Sequence, residues 1–194
     1  VIIDPDGQTT GENTDGKGFV KAISEMTSIP GKKIVIFGAG GAARAIAVEM
    51  ALAEAEEITI LNVSERGKSL ADLLNNRTPA KASFRPWNRT FSIPSDTDIV
   101  INATPVGLYP DIEQRLNIRV DTLRPQMIVA DCIPNPVYTH LLKDALANGC
   151  KQILPGMNML IYQAMIAIKY WTGKDVDADI MKQELMRVLG LLKQ

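Results

Sequence analysis

The chain has 194 residues, enough for one domain with an appendage, and 46% of them are apolar, which suffices for a core. A net charge of −1 gives no electrostatic case for nucleic acid or an anionic membrane as partner. Cys132 and Cys150 are the only cysteines, so no disulfide framework is expected and a reducing, cytoplasmic setting follows. Asp4 interrupts the apolar start Val1-Ile2-Ile3 at once, against a signal peptide, and the apolar stretch Met157 to Ile168 is too short to span a bilayer.

The chain opens as a hairpin, with strands at Val1–Asp4 and Gln8–Thr10 around the turn Pro5-Asp6-Gly7. A two-stranded hairpin needs something to pack on, so these residues read as the edge of a sheet whose remainder is absent. After Gly11-Glu12-Asn13-Thr14-Asp15-Gly16 a helix is predicted to about Thr27, with Thr14 or Asp15 as its cap and Pro30-Gly31 closing the unit.

Lys33 to Phe37 is a short apolar strand, and Gly38-Ala39-Gly40-Gly41-Ala42-Ala43 follows it and opens an alanine-rich helix to Ala53. The spacing G-x-G-x-x-G/A falls on Gly38, Gly40 and Ala43. Gly38 permits the sharp turn, Gly40 lets backbone approach a pyrophosphate, and the small Ala43 lets helix and strand pack closely. The unpaired N–H groups of the helix start then face the phosphates. Glu57 to Val63 is the second strand, completing a β-α-β unit of about thirty residues. At its end Asn62-Val63-Ser64-Glu65-Arg66-Gly67-Lys68 offers both cofactor chemistries: an acid for the ribose of NAD, and a cation for the extra phosphate of NADP. Glu65 and Arg66 equally suit the exposed first turn of the next helix, which runs from Arg66 to about Leu74.

A polar connection follows, in which Trp87 and Phe91 anchor a loop. Asp98 to Ala103 is a buried strand whose carboxyl end, Asn102-Ala103-Thr104-Pro105-Val106-Gly107, lies where open α/β sheets take ligands. Met127 to Asp131 is the next strand, stopped by Pro134 and Pro136. A helix from Thr139 to Asn148 ends at Gly149 and carries His140, the single histidine, expected at the surface. Lys151–Leu154 is a last short strand. Two helices close the chain, Met157 to about Trp171 and Asp177 to about Leu192; the first is apolar nearly all round, which predicts burial on more than one side, with Gln163 as a lone polar interruption. The fold class is therefore α/β, a Rossmann-like doubly wound parallel sheet with two carboxyl-terminal helices.

Taken together, Asn13-Thr14-Asp15-Gly16, Phe37-Gly38-Ala39-Gly40-Gly41-Ala42, Asn62, Asn102-Ala103-Thr104-Pro105-Val106-Gly107 and Gly156-Met157-Asn158-Met159-Leu160-x-x-Gln163-Ala164 resemble the shikimate/quinate dehydrogenase family, over essentially the whole chain. The resemblance implies hydride transfer between the 3-hydroxyl carbon of shikimate or quinate and NAD or NADP, in the route to aromatic amino acids or in quinate use. It implies that Asp15 is the catalytic aspartate, that Gln163 hydrogen-bonds substrate hydroxyls, and that Gly38, Ala39, Gly40, Gly41 and Ala42 form the pyrophosphate loop. Asn62 then begins the adenosine-ribose segment, and Thr104 and Gly156 lie near the nicotinamide. It divides the chain into a remnant edge of the substrate domain (1–12), the NAD(P)-binding domain (13–156) and helices that pack back toward the substrate domain (157–194).

The departures are specific. The family's amino-terminal domain, which supplies the catalytic lysine, has no counterpart in these residues, and Lys17, Lys21, Lys32 and Lys33 do not sit in that lysine's motif. NADP-binding members continue Asn-Arg-Thr where this chain has Asn62-Val63-Ser64; with Glu65 close by, that favours NAD, while Arg66 keeps NADP open. Pro105 stands where serine is frequent and Asn158 where glycine is usual. The expected product is a cofactor-binding part that lacks turnover alone; a stand-alone NAD(P)-binding sensor or scaffold module is the alternative.

Overall fold

The structure is a computed structural model, and it describes residues 1–190. Strands β1 (Ile2–Ile3) and β2 (Thr9–Thr10) pair antiparallel as the expected hairpin, apart from the main sheet. Helix α1 (Asp15–Ser24) leads to β3 (Lys33–Phe37), α2 (Gly41–Leu52), β4 (Glu57–Asn62), α3 (Arg66–Arg77) and β5 (Lys81–Pro86). Strands β6 (Ile99–Asn102) and β7 (Ile128–Asp131), helix α4 (His140–Ala147), β8 (Gln152–Leu154), α5 (Gly156–Thr172) and α6 (Ala178–Val188) complete the chain. The expected last helix reached Leu192, and positions 191 and 192 lie outside the described residues.

The six strands β3 to β8 pair in the order β5-β4-β3-β6-β7-β8, all parallel. Sequence order reverses between β3 and β6, which makes their carboxyl ends the switch point where such sheets bind ligands. Central strands buried on both faces read as unbroken apolar runs because each alternate side chain feeds a different core. Ile34 and Ile36 of β3 pack with Phe19, Ile46, Leu70 and Met159 beneath α1, α2, α3 and α5. Val35 and Phe37 pack on the other face with Leu141, Leu142 and Met127.

Three expectations change. The polar connection contains β5, an edge strand whose side chains are mostly exposed; its polarity conceals it because one side faces water and no apolar run is needed. Helix α5 is buried at Gly156, Met157, Met159 and Ile161, but Met165, Ile166 and Ile168 are only half-covered. His140 is half-buried rather than at the surface, its Nε2 lying 3.0 Å from a Glu113 carboxylate oxygen. The loop anchors hold: Trp87 and Phe91 pack on Phe37 with ring centroids 5.0 and 6.0 Å away. No helix among the described residues is long and apolar enough to cross a membrane.

Candidate active site

The turn after β3 is built by glycine for two separate reasons. Gly38 has a φ of +110°, and a Cβ there would stand 2.5 Å from the Ala103 carbonyl oxygen at the end of β6. The backbone conformation and the close approach each demand the absence of a side chain. At Gly40 and Gly41 a Cβ would meet nothing within 4 Å, so those glycines leave an open surface. Helix α2 begins there with no side-chain cap and no acid in its first turn, leaving its first N–H groups available to an anion. Ala42 and Gly41 border a crevice of about 290 Å³ whose other walls include Thr104, Ile133 and Pro134. Ala39 packs against the core and Ala43 is fully buried, as the small third position requires. An uncapped helix start, an uncrowded glycine surface and a crevice at the switch point fit a dinucleotide.

On the neighbouring strand, Gly38 N–H donates to the Leu61 carbonyl at 2.7 Å, which sets Asn62 beside the glycine turn. The Asn62 amide donates to Ser64 at its carbonyl (3.0 Å) and hydroxyl (2.9 Å) and folds the segment back. Glu65 precedes α3, Arg66 is its first residue, and both are exposed. Both chemistries offered by the sequence therefore follow β4, the strand that pairs with β3.

Asp15 and Gln163 lie 148 positions apart in sequence, yet they line one cavity of about 180 Å³ with Cys132, Pro134, Gly156 and Met159. Glycine again allows it. A Cβ on Gly18 would stand 2.5 Å from the Gln163 backbone nitrogen, and one on Gly16 2.3 Å from the Ala45 carbonyl, so α1 nests closely against α5 and α2. The Thr14 hydroxyl donates to Gln163 Oε1 at 3.2 Å, and Gln163 Nε2 donates to the Leu160 carbonyl at 3.1 Å, which orients the amide. The helix cap differs from expectation: Asn13 Oδ1, not Thr14 or Asp15, accepts the N–H groups of Asp15 (3.0 Å) and Gly16 (3.3 Å). The Asp15 carboxylate is thereby left without a hydrogen bond or ion pair among the described residues, facing the cavity. Lys17 is engaged elsewhere, with Glu12 at 2.5 Å and the Tyr170 hydroxyl at 2.9 Å, which hold its ammonium well above the usual lysine range. The two cavities share Cys132 and Pro134 in their linings, so the glycine surface and the Asp15–Gln163 pair lie in adjoining cavities, a groove in two parts. Gly156 belongs to the Asp15 side of it, where a Cβ would strike the Cys132–Ile133 backbone at 2.5 Å.

Residues beneath the groove escape sequence reasoning. Asn102, read as part of a ligand-facing loop, is wholly buried, as are Asp131 and, nearly so, Thr139. Asp131 accepts from Thr139 Oγ1 (2.7 Å), from Ile133 N–H (2.9 Å) and from Asn102 Nδ2 (3.1 Å). Asn102 Oδ1 in turn accepts from the Thr104 hydroxyl (2.7 Å) and N–H (3.0 Å), so the Thr104 side chain is tied inward as well as lining the crevice. Burial pushes the Asp131 carboxyl up to about 6 against the opposing pull of its donors. The one available signal was an acid ending an otherwise apolar strand. Burial also raises the Cys132 thiol far above its ordinary range, so it is not a thiolate nucleophile.

The family described as "Shikimate 5'-dehydrogenase C-terminal domain" matches residues 156–186. The shikimate dehydrogenase (NADP(+)) of Geobacillus kaustophilus is 37% identical over 191 residues, covering 97% of this chain and 67% of that protein. A ligand-free 5-ketofructose reductase of a Gluconobacter species superposes with a TM-score of 0.90 at 44% identity, over 94% of this chain and 66% of that one. Shikimate 5-dehydrogenase from Listeria monocytogenes, in complex with shikimate and NAD, gives 0.87 at 34% identity, over 95% and 66%. The chain spans about 65% of the length of several curated relatives it matches. The preference for NAD drawn from the missing arginine and Glu65 is not supported: the curated relatives are named for NADP(+), and solved neighbours hold NAD or NADP+.

Proposed function

This chain belongs to the shikimate dehydrogenase family, and from that premise we propose that it is the NADP-binding part of an oxidoreductase acting on a hydroxyl-bearing carbon of shikimate or quinate. The observation that carries the reading is the pair of adjoining cavities, with the glycine surface in one and the free Asp15 carboxylate beside Gln163 in the other. A nicotinamide dinucleotide supplies the hydride carrier when bound. The N–H groups at Gly40, Gly41 and Ala42 receive its pyrophosphate, and Asn62 its adenosine ribose. Arg66 offers a cation to the 2′-phosphate, against the nearby charge of Glu65. Thr104 and Gly156 shape the nicotinamide end. Gln163, its amide fixed by Thr14, orients substrate hydroxyls. Asp15 holds the proton of the reacting hydroxyl together with a lysine from outside these residues, in cis or on another chain, because no lysine contacts Asp15 among the described residues. The hairpin at 1–12 then edges the substrate domain.

Intrinsic-fluorescence titration with NADP+ and NAD+ tests the reading. Saturable binding, tighter for NADP+ and weakened for NADP+ alone by Arg66→Ala, is expected; tighter binding of NAD+ overturns the role of Arg66. The likeness to a 5-ketofructose reductase favours a second substrate reading, a polyhydroxy ketone. Assays of the complete protein with shikimate, quinate and 5-ketofructose separate the two.

A further inference from the structure

We infer that Asp131 is a positioning residue for the nicotinamide end of the crevice, acting through Asn102 and Thr139. This rests on the dinucleotide reading above. The crevice has two lips, Thr104–Leu108 after β6 and Cys132–Pro134 after β7, and both hang from one carboxylate. Asp131 holds the second lip directly, through Ile133 N–H at 2.9 Å, and anchors the start of α4 through Thr139 Oγ1 at 2.7 Å. It holds the first lip through Asn102, whose Nδ2 lies 3.1 Å from both carboxylate oxygens and whose Oδ1 takes the Thr104 N–H and hydroxyl. Asn102 Nδ2 also reaches the Val106 carbonyl at 3.3 Å. No buried side-chain polar atom is left unpaired among the described residues.

Stability alone does not call for this arrangement. Asp131 is fully buried at the end of an apolar strand, and an acid in such a place costs desolvation that a matched apolar pair would avoid. What the acid provides is a fixed spacing between two loops that leave adjacent strands. The adenosine end, at Asn62, Glu65 and Arg66 beyond β3 and β4, has no member in the network. A positioning role therefore predicts a loss confined to one end of the dinucleotide.

The test compares the affinities of NADP+ and of 2′-phospho-ADP-ribose, which lacks the nicotinamide. In Asp131→Asn the new amide must set a donor against Ile133 N–H or Asn102 Nδ2. NADP+ affinity is expected to fall by about tenfold or more while the fragment stays within about twofold, a difference of one buried hydrogen bond or more. Thr139→Val, which removes the hydroxyl at constant shape, reproduces the selective loss in part, and Thr139→Ser restores it. Should Asp131→Asn fail to fold, the Thr139 pair decides. Equal losses for both ligands, or none for NADP+, overturn the proposal. A wild-type chain that binds neither ligand overturns the dinucleotide reading, and this inference with it; one that binds both supports that reading whatever the variants do.

Discussion

Gly38 and Gly40 sit two residues apart, and the structure gives them opposite predictions. Alanine at Gly38 inherits a φ of +110° and a Cβ 2.5 Å from a carbonyl oxygen. Its conformation alone costs about 1–3 kcal/mol, so chemical denaturation should show a clear loss of stability. Alanine at Gly40 meets open space at φ −79°, and its stability should stay within about 0.5 kcal/mol of wild type. On the proposed reading its methyl stands where the pyrophosphate approaches, so NADP+ affinity should fall about tenfold, the loss of one good hydrogen bond. A Gly40→Ala chain that binds as wild type would remove the pyrophosphate from this surface. The turn at Gly38 was legible because glycine's constraint acts on its own turn. Asp131 was not, since its partner Asn102 lies 29 positions away and only the fold joins them. Its carboxyl is raised to about 6 when folded, so it favours the folded state fully below its unfolded value near 3.8. That contribution is lost as pH rises through about 6. Against Asp131→Asn as reference, wild-type stability should fall between pH 4 and 7, by at most about 3 kcal/mol, and a flat difference would contradict the burial argument.

At the scale of elements, the groove depends on how closely α1 approaches α5. Gly18 makes that approach, since its Cβ would stand 2.5 Å from the Gln163 backbone nitrogen. Gly18→Ala should push the helices apart and cost about 1–3 kcal/mol by overpacking, read as a lower thermal midpoint. It should also break the Thr14–Gln163 hydrogen bond, so Gln163 loses its orientation even where the fold survives. An unchanged midpoint would mean that the contact has slack the structure does not show. The central strands and α2 were readable because burial on two faces leaves an unbroken apolar run and alanine a strong helical bias. Strand β5 was not, because an edge strand needs neither, and its pairing with β4 is a property of the sheet. The capping of α1 by Asn13 rather than Thr14 or Asp15 was equally hidden. Three adjacent polar residues all suit that position, and only the backbone turn selects among them.

For the molecule as a whole, the proposed function leaves the groove to be completed by a substrate domain. The side formed by this chain carries the glycine surface, Gln163 and a carboxylate with no cationic partner among the described residues. Its apolar lining is incompletely covered, Leu160 being 40% exposed; elsewhere on α5 Trp171 is 65% exposed although its ring N–H donates to the Val1 carbonyl. Sequence reading reached this point only through the order of its motifs, because Asp15 and Gln163 mean little until α1 and α5 bring them into one cavity. A carboxylate alone can accept a proton from the substrate hydroxyl, but without an ammonium beside it the developing charge has no partner. An acid–base group in place typically contributes about 10²–10⁴-fold to rate. On the proposed reading the substrate hydroxyls would also lack the contacts of a substrate domain, so affinity should fall together with turnover. The purified 194-residue chain should therefore bind NADP+ while giving no measurable NADPH from shikimate or quinate. Adding a lysine-bearing substrate domain, in cis or as a second chain, should restore reduction, and Asp15→Asn should then abolish it without weakening NADP+ binding. Shikimate oxidation by the isolated chain, followed as NADPH absorbance, would show that the proton has another route and that Asp15 needs no lysine.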